Sequence, residues 1–541
     1  MNRIAWLIFS FTLLITPVLS QNTLPDDYLA SMSLEQKVGQ MFVMSFFGSE
    51  VNFAARDLLT TWQPGAIVLL PSNLENPQQI TRLTNDIQQT LLDSGSLPAF
   101  IAVDQEGGII AHLEEGFTRW AVPSLLTATQ SPELAYQFGE ALAQELLAVG
   151  INMNLAPVAD LQTNLDNPII GRRSFGSDPE LVAPIIETVI EGMQFGGIMA
   201  TVKHFPGHGD TSVDSHLELP VLNFSEDELL NRELIPFQAA IDADTGAVML
   251  AHIHFPQIDT ESAIPASLSE NIIVDLLRNR MGYDGIVITD ALDMDAIDTV
   301  YSPGEAAIRA IQAGNDLVLI GAHISPDNQA GAMQAVVDAV RAGEIPETRI
   351  DESVLRILTA KERFNILNWQ ELEQNGVEQR INSEAHEALV DTMFRQGITQ
   401  VHDNGERLPL SGSTLMVYPA SRGVLGLACN RSDWQFLSIS SNPDAETISS
   451  IQGASMYVDN VIVFTENVND NRAQITLIEG LPLQKTIVVA LWSPFDALYL
   501  PAIASYFVTY SPLPQSYMPI CDILHGEAQA QGTLSVSLEA Q

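Results

Sequence analysis

Cysteine and positive charge are the two features that this 541-residue sequence has least of. Its two cysteines, Cys429 and Cys521, are not in the spacing of a metal-binding motif, and they either pair in an oxidising compartment or remain buried thiols. Lysine and arginine number 24 against 67 aspartates and glutamates, so the formal net charge is −43. Because nucleic acids and anionic membranes are bound by cationic side chains, the composition argues against both as partners.

The sequence also lacks the low hydrophobicity of a disordered chain, since 46% of its residues are hydrophobic and 17% are charged. Its length exceeds one ordinary core, so two large domains are expected. At the N-terminus a single arginine precedes the apolar run IAWLIFSFTLLI, and the small residues of TPVLSQ follow, which is the order of a signal peptide over residues 1–20. The run is too short to cross a membrane comfortably, and an uncleaved anchor is the alternative. We therefore expect an exported protein, secreted or periplasmic, with no membrane span in the mature chain.

One rhythm repeats from residue 38 to residue 321: a short β-rich apolar run is followed by a longer amphipathic stretch. The eight runs are VGQMFVMSF (38–46), GAIVLL (65–70), PAFIAVDQE (98–106), INMNLAPVAD (151–160), GIMATVKHF (197–205), AVMLAHIHF (247–255), GIVITDAL (285–292) and DLVLIGA (316–322). Eight strands alternating with helices predict an α/β fold, a (β/α)8 TIM-like barrel. An open doubly wound sheet is the runner-up, but no Gly-rich phosphate turn follows the first run.

The stretches between the runs have helical spacing. Residues 132–150 follow the N-cap candidate Ser131, and residues 178–197 open on Asp-Pro and close on glycines. Beyond the barrel a helix-rich segment precedes four further strand-like runs: STLMVYPA, VDNVIVFTENV, KTIVVALWSPFDA and ASYFVTYS. We predict a barrel over residues 25–365, a helical linker over 366–395 and a smaller C-terminal α/β sandwich domain over 396–541.

Polar residues stand where the predicted barrel strands end. They are Asp104, Asp160, Lys203, His204, His252, His254 and Asp290. Catalytic groups of parallel barrels stand at the carboxyl ends of strands, and such residues are costly to bury without a task or a partner. Several strand ends in register therefore predict one polar pocket at the barrel mouth.

The string KHFPGHGDTSVDSHLELP (203–220) is the densest in chemically useful groups. Asp214 and His216 flank one serine, and residues two apart in an extended segment face the same way. A carboxylate beside an imidazole fixes its tautomer, and such a pair can donate a proton to a leaving group and later take one from water. The alternative is a solvated polar loop. Gly207 and Gly209 suggest a loop that moves.

These strings resemble glycoside hydrolase family 3, and within it the NagZ-like β-N-acetylglucosaminidase branch. The matching segments are AVDQEGG (102–108), LAPVADLQTNLDNPIIGRRSFGSDP (155–179), the 203–220 string, VMLAHIHFPQID (248–259), the segment 264–294 with VITDALDM, and AGNDLVLIG (313–321). The resemblance covers residues 30–365, and the C-terminal part is similar to the second domain of longer members. It implies a barrel followed by a sandwich domain, and an enzyme without metal or cofactor that acts on an oligosaccharide or smaller glycoside.

The resemblance also implies roles for individual residues. Asp290 would be the nucleophile that forms a covalent glycosyl-enzyme, and His216, held by Asp214, would be the acid/base in place of a second carboxylate. Four side chains would bind sugar hydroxyls: Asp104, Arg173, Lys203 and His204. Asp160 would contact these residues and position them without binding the sugar itself. The sequence departs from the family at Ile109, where an arginine that contacts sugar usually follows DQEGG.

Other functions fit parts of the same pattern. A phosphorylase fits because histidine has no negative charge to repel phosphate, and a β-glucosidase would use the same groups. A metal-dependent amidohydrolase would find suitable ligand types in His252, His254, Lys203, His204 and Asp290. Its H-x-H motif belongs on the first strand, however, and lies here on the sixth. A non-catalytic cell-wall binding protein would be expected to have lost Asp290 or His216, and the sequence has both.

Overall fold

The structure is a computed structural model that describes residues 24–260, 263–321, 324–404 and 407–538. The predicted signal peptide, residues 1–20, lies outside the described residues. Within the described ranges no helix has the length and apolar character needed to cross a membrane.

Eight parallel strands form the barrel, and each lies inside one of the eight predicted runs. They are β1 (Phe42–Met44), β2 (Ala66–Val68), β3 (Phe100–Val103), β4 (Met153–Asn154), β5 (Met199–Phe205), β6 (Ala247–Leu250), β7 (Ile286–Thr289) and β8 (Val318–Leu319). The sheet order is β8-β1-β2-β3-β4-β5-β6-β7, and a parallel bridge between Ile288 and Leu317 closes the ring. The strands are buried on both faces, which explains their continuous apolar runs. The predicted barrel is confirmed.

Helices follow the strands around the outside of the barrel. The main ones are Phe53–Trp62, Pro77–Asp93, Pro132–Ala148, Pro179–Phe195, Ile235–Asp242, Asn271–Arg280, Pro303–Ala313, Pro326–Ala342 and Glu347–Arg363. Two begin where the sequence indicated: the side chain of Ser131 accepts a hydrogen bond from the Leu134 amide, and Asp178 accepts one from Glu180. These caps satisfy N–H groups that a helix leaves open at its start.

The C-terminal domain is built on a six-stranded sheet with helices packed on it. Its strands are β9 (Thr399–Asp403), β10 (Thr414–Pro419), β11 (Trp434–Ile439), β12 (Asn460–Thr465), β13 (Thr486–Ala490) and β14 (Ser505–Val508), in the order β9-β14-β13-β12-β10-β11. Only β9 is antiparallel to its neighbour. Its helices are Gly423–Ala428, Ala445–Ser455, Ala473–Glu479 and Tyr517–His525. The five parallel strands have the 2-1-3-4-5 order of a doubly wound fold.

A disulfide joins Cys429 to Cys521, with their Cα atoms 5.0 Å apart, and so decides between the two states that the sequence left open. It links the short helix Gly423–Ala428 to the helix Tyr517–His525 on one side of the C-terminal sheet.

The two domains are tied together at several points. The helix Glu384–Gly397, which leads into β9, packs against the barrel helix Pro123–Thr129. A C-terminal segment then returns to the barrel: the Thr533 amide donates to the Ala128 carbonyl at 2.8 Å, and the Ser177 amide donates to the Ser535 carbonyl at 3.1 Å. We call residues 532–537 the C-terminal strap.

Candidate active site

The strand ends bring the predicted polar residues together at the carboxyl end of the barrel. The Lys203 ammonium, on β5, contacts Asp104 Oδ1 at 2.5 Å and Glu106 Oε1 at 2.8 Å, both from the segment after β3. Burial alone would lower the pKa of Lys203, but the two carboxylates outweigh it and raise that pKa. Lys203 is therefore a fixed positive charge, with Asp104 as its partly exposed neighbour.

Glu106 is a site residue that the sequence analysis did not single out. It accepts two hydrogen bonds from Arg173, from Nε at 2.9 Å and from Nη2 at 2.8 Å. Burial would raise the pKa of Glu106, but Lys203 and Arg173 hold it at about 2. Because Glu106 follows Asp104 by two residues in an extended segment, the same-face rule that paired Asp214 with His216 could have found it.

Asp160 organises the segment that follows β5 from a fully buried position. Its carboxylate accepts hydrogen bonds from His204 Nδ1 at 2.6 Å and from the His208 amide at 2.6 Å. Burial raises the pKa of Asp160 to about 6, against the opposing effect of His208 and two backbone amides. The supporting position predicted for Asp160 fits these contacts.

His204 is held in one orientation and one charge state. Burial and the nearby charge of Arg173 lower the pKa of His204 well below its ordinary value, so the ring is neutral at neutral pH. When Nδ1 donates to Asp160, Nε2 is left as an acceptor, 3.5 Å from Arg173 Nη2. Asp160 therefore determines that a ligand would meet the unprotonated Nε2 of this ring.

Asp290 stands directly after β7, and its Oδ1 accepts a hydrogen bond from the Ala291 amide at 2.8 Å. Burial would raise the pKa of Asp290, but His204, His252 and the Ala291 amide outweigh it, and the pKa lies below its ordinary value. The carboxylate is ionised at neutral pH and remains partly accessible. Those are the two properties that a nucleophile requires.

Asp214 and His216 form the predicted pair on the loop after β5. His216 Nδ1 lies 2.8 Å from Asp214 Oδ1, and the same oxygen accepts the His216 backbone amide at 2.7 Å. The His216 side chain is 60% exposed, and its backbone carbonyl accepts from the Asp295 amide, which lies beyond β7. The imidazole thus sits at the rim of the mouth, on an arm anchored near the strand that carries Asp290.

The first half of this loop is fastened to the barrel. The His208 ring contacts Ser215 Oγ at 2.8 Å and Thr211 Oγ1 at 3.0 Å, and Asn167 Nδ2 donates to the His208 carbonyl at 2.8 Å. His208 is buried, so its role is to hold the loop together. Ser215 lies between Asp214 and His216 and is buried, so this contact ties the arm to His208 while the His216 side chain remains exposed.

The loop glycines, which suggested movement, have a packing role in the structure. A Cβ at Gly209 would overlap the carbonyl oxygen of Leu161. Gly207 has φ +128° and faces the Glu233 side chain, so a larger residue would be strained there. The close approach at Gly209 and the positive φ at Gly207 each account for glycine without a hinge.

The histidines of the H-x-H motif are engaged by the protein. His252 Nδ1 lies 2.7 Å from Ser267 Oγ, and its Nε2 lies 2.9 Å from the Ala291 carbonyl. His254 Nδ1 lies 3.1 Å from the Ile264 carbonyl. With both ring nitrogens of His252 occupied, the first ligand of the amidohydrolase alternative is unavailable. Among the described residues no group of three acidic, histidine or cysteine side chains has the arrangement of a metal site.

The chemistry available at this mouth is that of glycoside cleavage, in which a carboxylate acts at the anomeric carbon and a second group supplies the proton. Barrel and site define the class as a glycoside hydrolase. The family follows from the sequence, since residues 33–360 match the Glycosyl hydrolase family 3 N terminal domain. The chain belongs to that family, and the resemblance seen in the motifs is confirmed.

The proteins to which this chain is similar include two curated relatives and one solved structure. Beta-hexosaminidase A of Pseudoalteromonas piscicida is 32% identical over 383 residues, which cover 67% of this chain and 63% of that protein. The beta-hexosaminidase of Tolumonas auensis is 35% identical over 297 residues, 54% of this chain and 84% of that protein. A glycoside hydrolase family 3 beta-N-acetylglucosaminidase from Paenibacillus sp. is 36% identical, with a TM-score of 0.83, and the match covers 94% of this chain and 99% of that one. This chain therefore spans less than two thirds of the Pseudoalteromonas relative.

Proposed function

We propose that the protein is a retaining, exo-acting β-N-acetylhexosaminidase that releases terminal β-linked N-acetylglucosamine. One observation carries the proposal: an ionised, partly accessible Asp290 and the Asp214–His216 pair lie at the same barrel mouth. The name of the Paenibacillus enzyme, a beta-N-acetylglucosaminidase, supports this substrate, and the names of the Pseudoalteromonas and Tolumonas relatives support the broader class of hexosaminides.

The reaction would run in two steps at these groups. Asp290 attacks the anomeric carbon and forms a glycosyl ester, while His216 gives its proton to the departing oxygen. His216 then takes a proton from a water molecule as that water attacks the anomeric carbon. The bond from the sugar to Asp290 breaks, and the free carboxylate is restored. Asp214 keeps Nδ1 of the imidazole bound, so that Nε2 is the nitrogen that exchanges the proton.

The charged groups around Asp290 are suited to hold the sugar. Lys203, Arg173 and Asp104 offer donors and acceptors to hydroxyls, and Glu106 fixes the two cations. His204 offers a neutral ring nitrogen on the same side of the pocket. Residues from the end of β3 through β5 thus bind and orient the sugar, and Asp290 and His216 carry the bond-breaking steps.

The test is a panel of 4-nitrophenyl glycosides, with Asp290→Asn as the matched control for the wild type. We expect turnover of the N-acetyl-β-D-glucosaminide, weak turnover of the β-D-glucoside, and none by the variant. Preference for the glucoside would overturn the proposed substrate. A rate that depends on phosphate, with a sugar 1-phosphate as product, would instead make the protein a phosphorylase.

We propose further that the protein is exported, secreted or periplasmic. The order of charged, apolar and small residues over positions 1–20 supports this. N-terminal sequencing of the mature protein should begin at Gln21. A cytoplasmic protein that retains Met1 would contradict the proposal.

A further inference from the structure

The middle residue of the arm, residues 214–216, points away from solvent. Ser215 is 2% exposed, whereas the His216 side chain is 60% exposed. In an extended segment neighbouring side chains face opposite ways, so a pair that faces the barrel mouth leaves the residue between them to face the protein. The Ser215 hydroxyl meets the buried His208 ring, with 2.8 Å between Oγ and Nε2. The reaction proposed above assigns no part to either Ser215 or His208.

The contacts of His208 fix the direction of each hydrogen bond around its ring. Burial lowers the pKa of His208, so the imidazole is neutral at neutral pH and carries one N–H. The Thr211 hydroxyl donates to the His208 carbonyl at 3.2 Å, which leaves its oxygen to accept from Nδ1 at 3.0 Å. Nε2 is then unprotonated and accepts a hydrogen bond from the Ser215 hydroxyl. Both ring nitrogens have a partner, so the ring is a fixed acceptor for Ser215.

Asp160 connects these contacts to the sugar-binding side of the site. Its Oδ1 accepts the His208 amide at 2.6 Å, and its Oδ2 accepts from His204 Nδ1 at 2.6 Å. The two oxygens of one buried carboxylate thus fix the histidine proposed to bind sugar and the histidine that holds Ser215. The position of the arm is therefore set relative to the groups that would hold the sugar.

The other contacts of the arm do less to place the imidazole. The bonds between Asp214 and His216 lie within the arm, so they orient the ring relative to Asp214 but not relative to the barrel. The Asp295 amide donates to the His216 carbonyl at 3.4 Å, a long hydrogen bond. A proton donor must come within about 2.6–3.2 Å of the atom that it protonates. An exposed side chain meets that requirement more often when its backbone is already fixed.

We propose that Ser215 is a positioning residue: its hydrogen bond to His208 holds the arm so that Nε2 of His216 reaches the departing oxygen. The inference rests on the proposed function, in which His216 supplies the proton. Ser215 touches neither the sugar nor Asp290 in this assignment, and its effect passes through His216. It also gives the buried His208 a part in the reaction, as the acceptor that fixes Ser215.

The experiment measures kcat/KM of Ser215→Ala on two substrates. One is the β-1,4-linked disaccharide of N-acetylglucosamine, and the other is the 2,4-dinitrophenyl glycoside of the same sugar, whose leaving group needs no proton. The loss of one hydrogen bond between neutral groups corresponds to about 2- to 10-fold. We expect a fall of that size on the disaccharide and an unchanged value on the aryl glycoside. Ser212→Ala is the matched control, because Ser212 is an exposed serine of the same loop, and it should change neither value.

A double variant separates positioning from a general effect on the fold. If Ser215 acts through His216, adding Ser215→Ala to His216→Ala should cause no further loss on the disaccharide, because the group that it positions is already absent. An equal loss on both substrates, a further loss in the His216→Ala background, or values equal to those of the control would overturn the inference. A wild type that fails to cleave the aryl glycoside, or a His216→Ala variant that loses equally on both substrates, would instead overturn the proposed function.

Discussion

Removal of the His216 imidazole is the sharpest test of the proposed mechanism. His216→Ala deletes the one proton donor that the structure offers on the exposed arm, and it leaves Asp290 and its neighbours in place. A 2,4-dinitrophenolate departs without protonation, whereas the hydroxyl oxygen of the second sugar in a disaccharide must be protonated as it leaves. The variant should therefore lose far more activity on a disaccharide than on the activated aryl glycoside.

The size of the loss can be set from the geometry. General acid/base assistance is worth about 10²–10⁴-fold, and we expect that gap between the two substrates. Asp214→Asn removes the negative charge beside a ring that is 60% exposed and leaves an amide oxygen to accept from Nδ1, so its effect should be much smaller. A charge-assisted bond is worth about 1.5–3 kcal/mol, and solvent at this position reduces it to about 1 kcal/mol, roughly 5-fold.

The assay measures kcat/KM of wild type, His216→Ala and Asp214→Asn on both substrates. Azide is added as a second readout, because a small anion can attack the glycosyl ester of Asp290 without a general base. The aryl glycoside should then give a glycosyl azide with His216→Ala. If the variant slows both substrates equally, or neither, the acid/base assignment of His216 is refuted.

Three further predictions concern stability and metals. Burial raises the pKa of Glu233 to about 7, so its neutral form stabilises the fold below about pH 4.5 and that stability is lost as pH rises to 7, by about 3 kcal/mol at most. Glu233→Gln should flatten the dependence of Tm on pH between 5 and 8, and an unchanged dependence would contradict the burial argument. Replacing Cys429 and Cys521 by serine should lower Tm, because a disulfide across 92 residues reduces the conformational entropy of the unfolded chain. The stabilisation from this effect is up to about 5 kcal/mol. A Tm equal to that of the wild type would show that the disulfide contributes nothing to stability. EDTA should leave activity intact because both His252 nitrogens are engaged, and a loss that zinc restores would count against the glycosidase mechanism.

The barrel could be read from the sequence because both faces of each strand are buried. Runs rich in apolar residues mark all eight strands, and the polar residues at or near their carboxyl ends meet at one rim. The strands β9 and β11 were not predicted, because they lie at the two edges of the second sheet. In β11 only Trp434 and Ile439 are buried, so its pattern is that of a polar loop.

Most residues of the candidate site could be predicted from the sequence, but the contacts between them could not. Asp290, His204 and Lys203 follow from strand ends, and Asp214 with His216 from their spacing. The contacts that fix charge, such as Glu106 with Arg173, join residues 67 positions apart, and local patterns carry no signal for them. The pairing of the two cysteines could not be predicted for the same reason, since they are 92 positions apart.

The C-terminal strap has a consequence for the order in which the protein is made. It supplies backbone partners to the barrel at Ala128 and Ser177, and Ser177 lies four residues after Arg173. A ribosome releases the strap only after every strand of both sheets has been synthesised. Until then the Ser177 amide, in the loop that carries Arg173, and the Ala128 carbonyl lack their partners from the strap. We expect the nascent barrel to fold early but to acquire its finished sugar-binding rim last, as the strap docks.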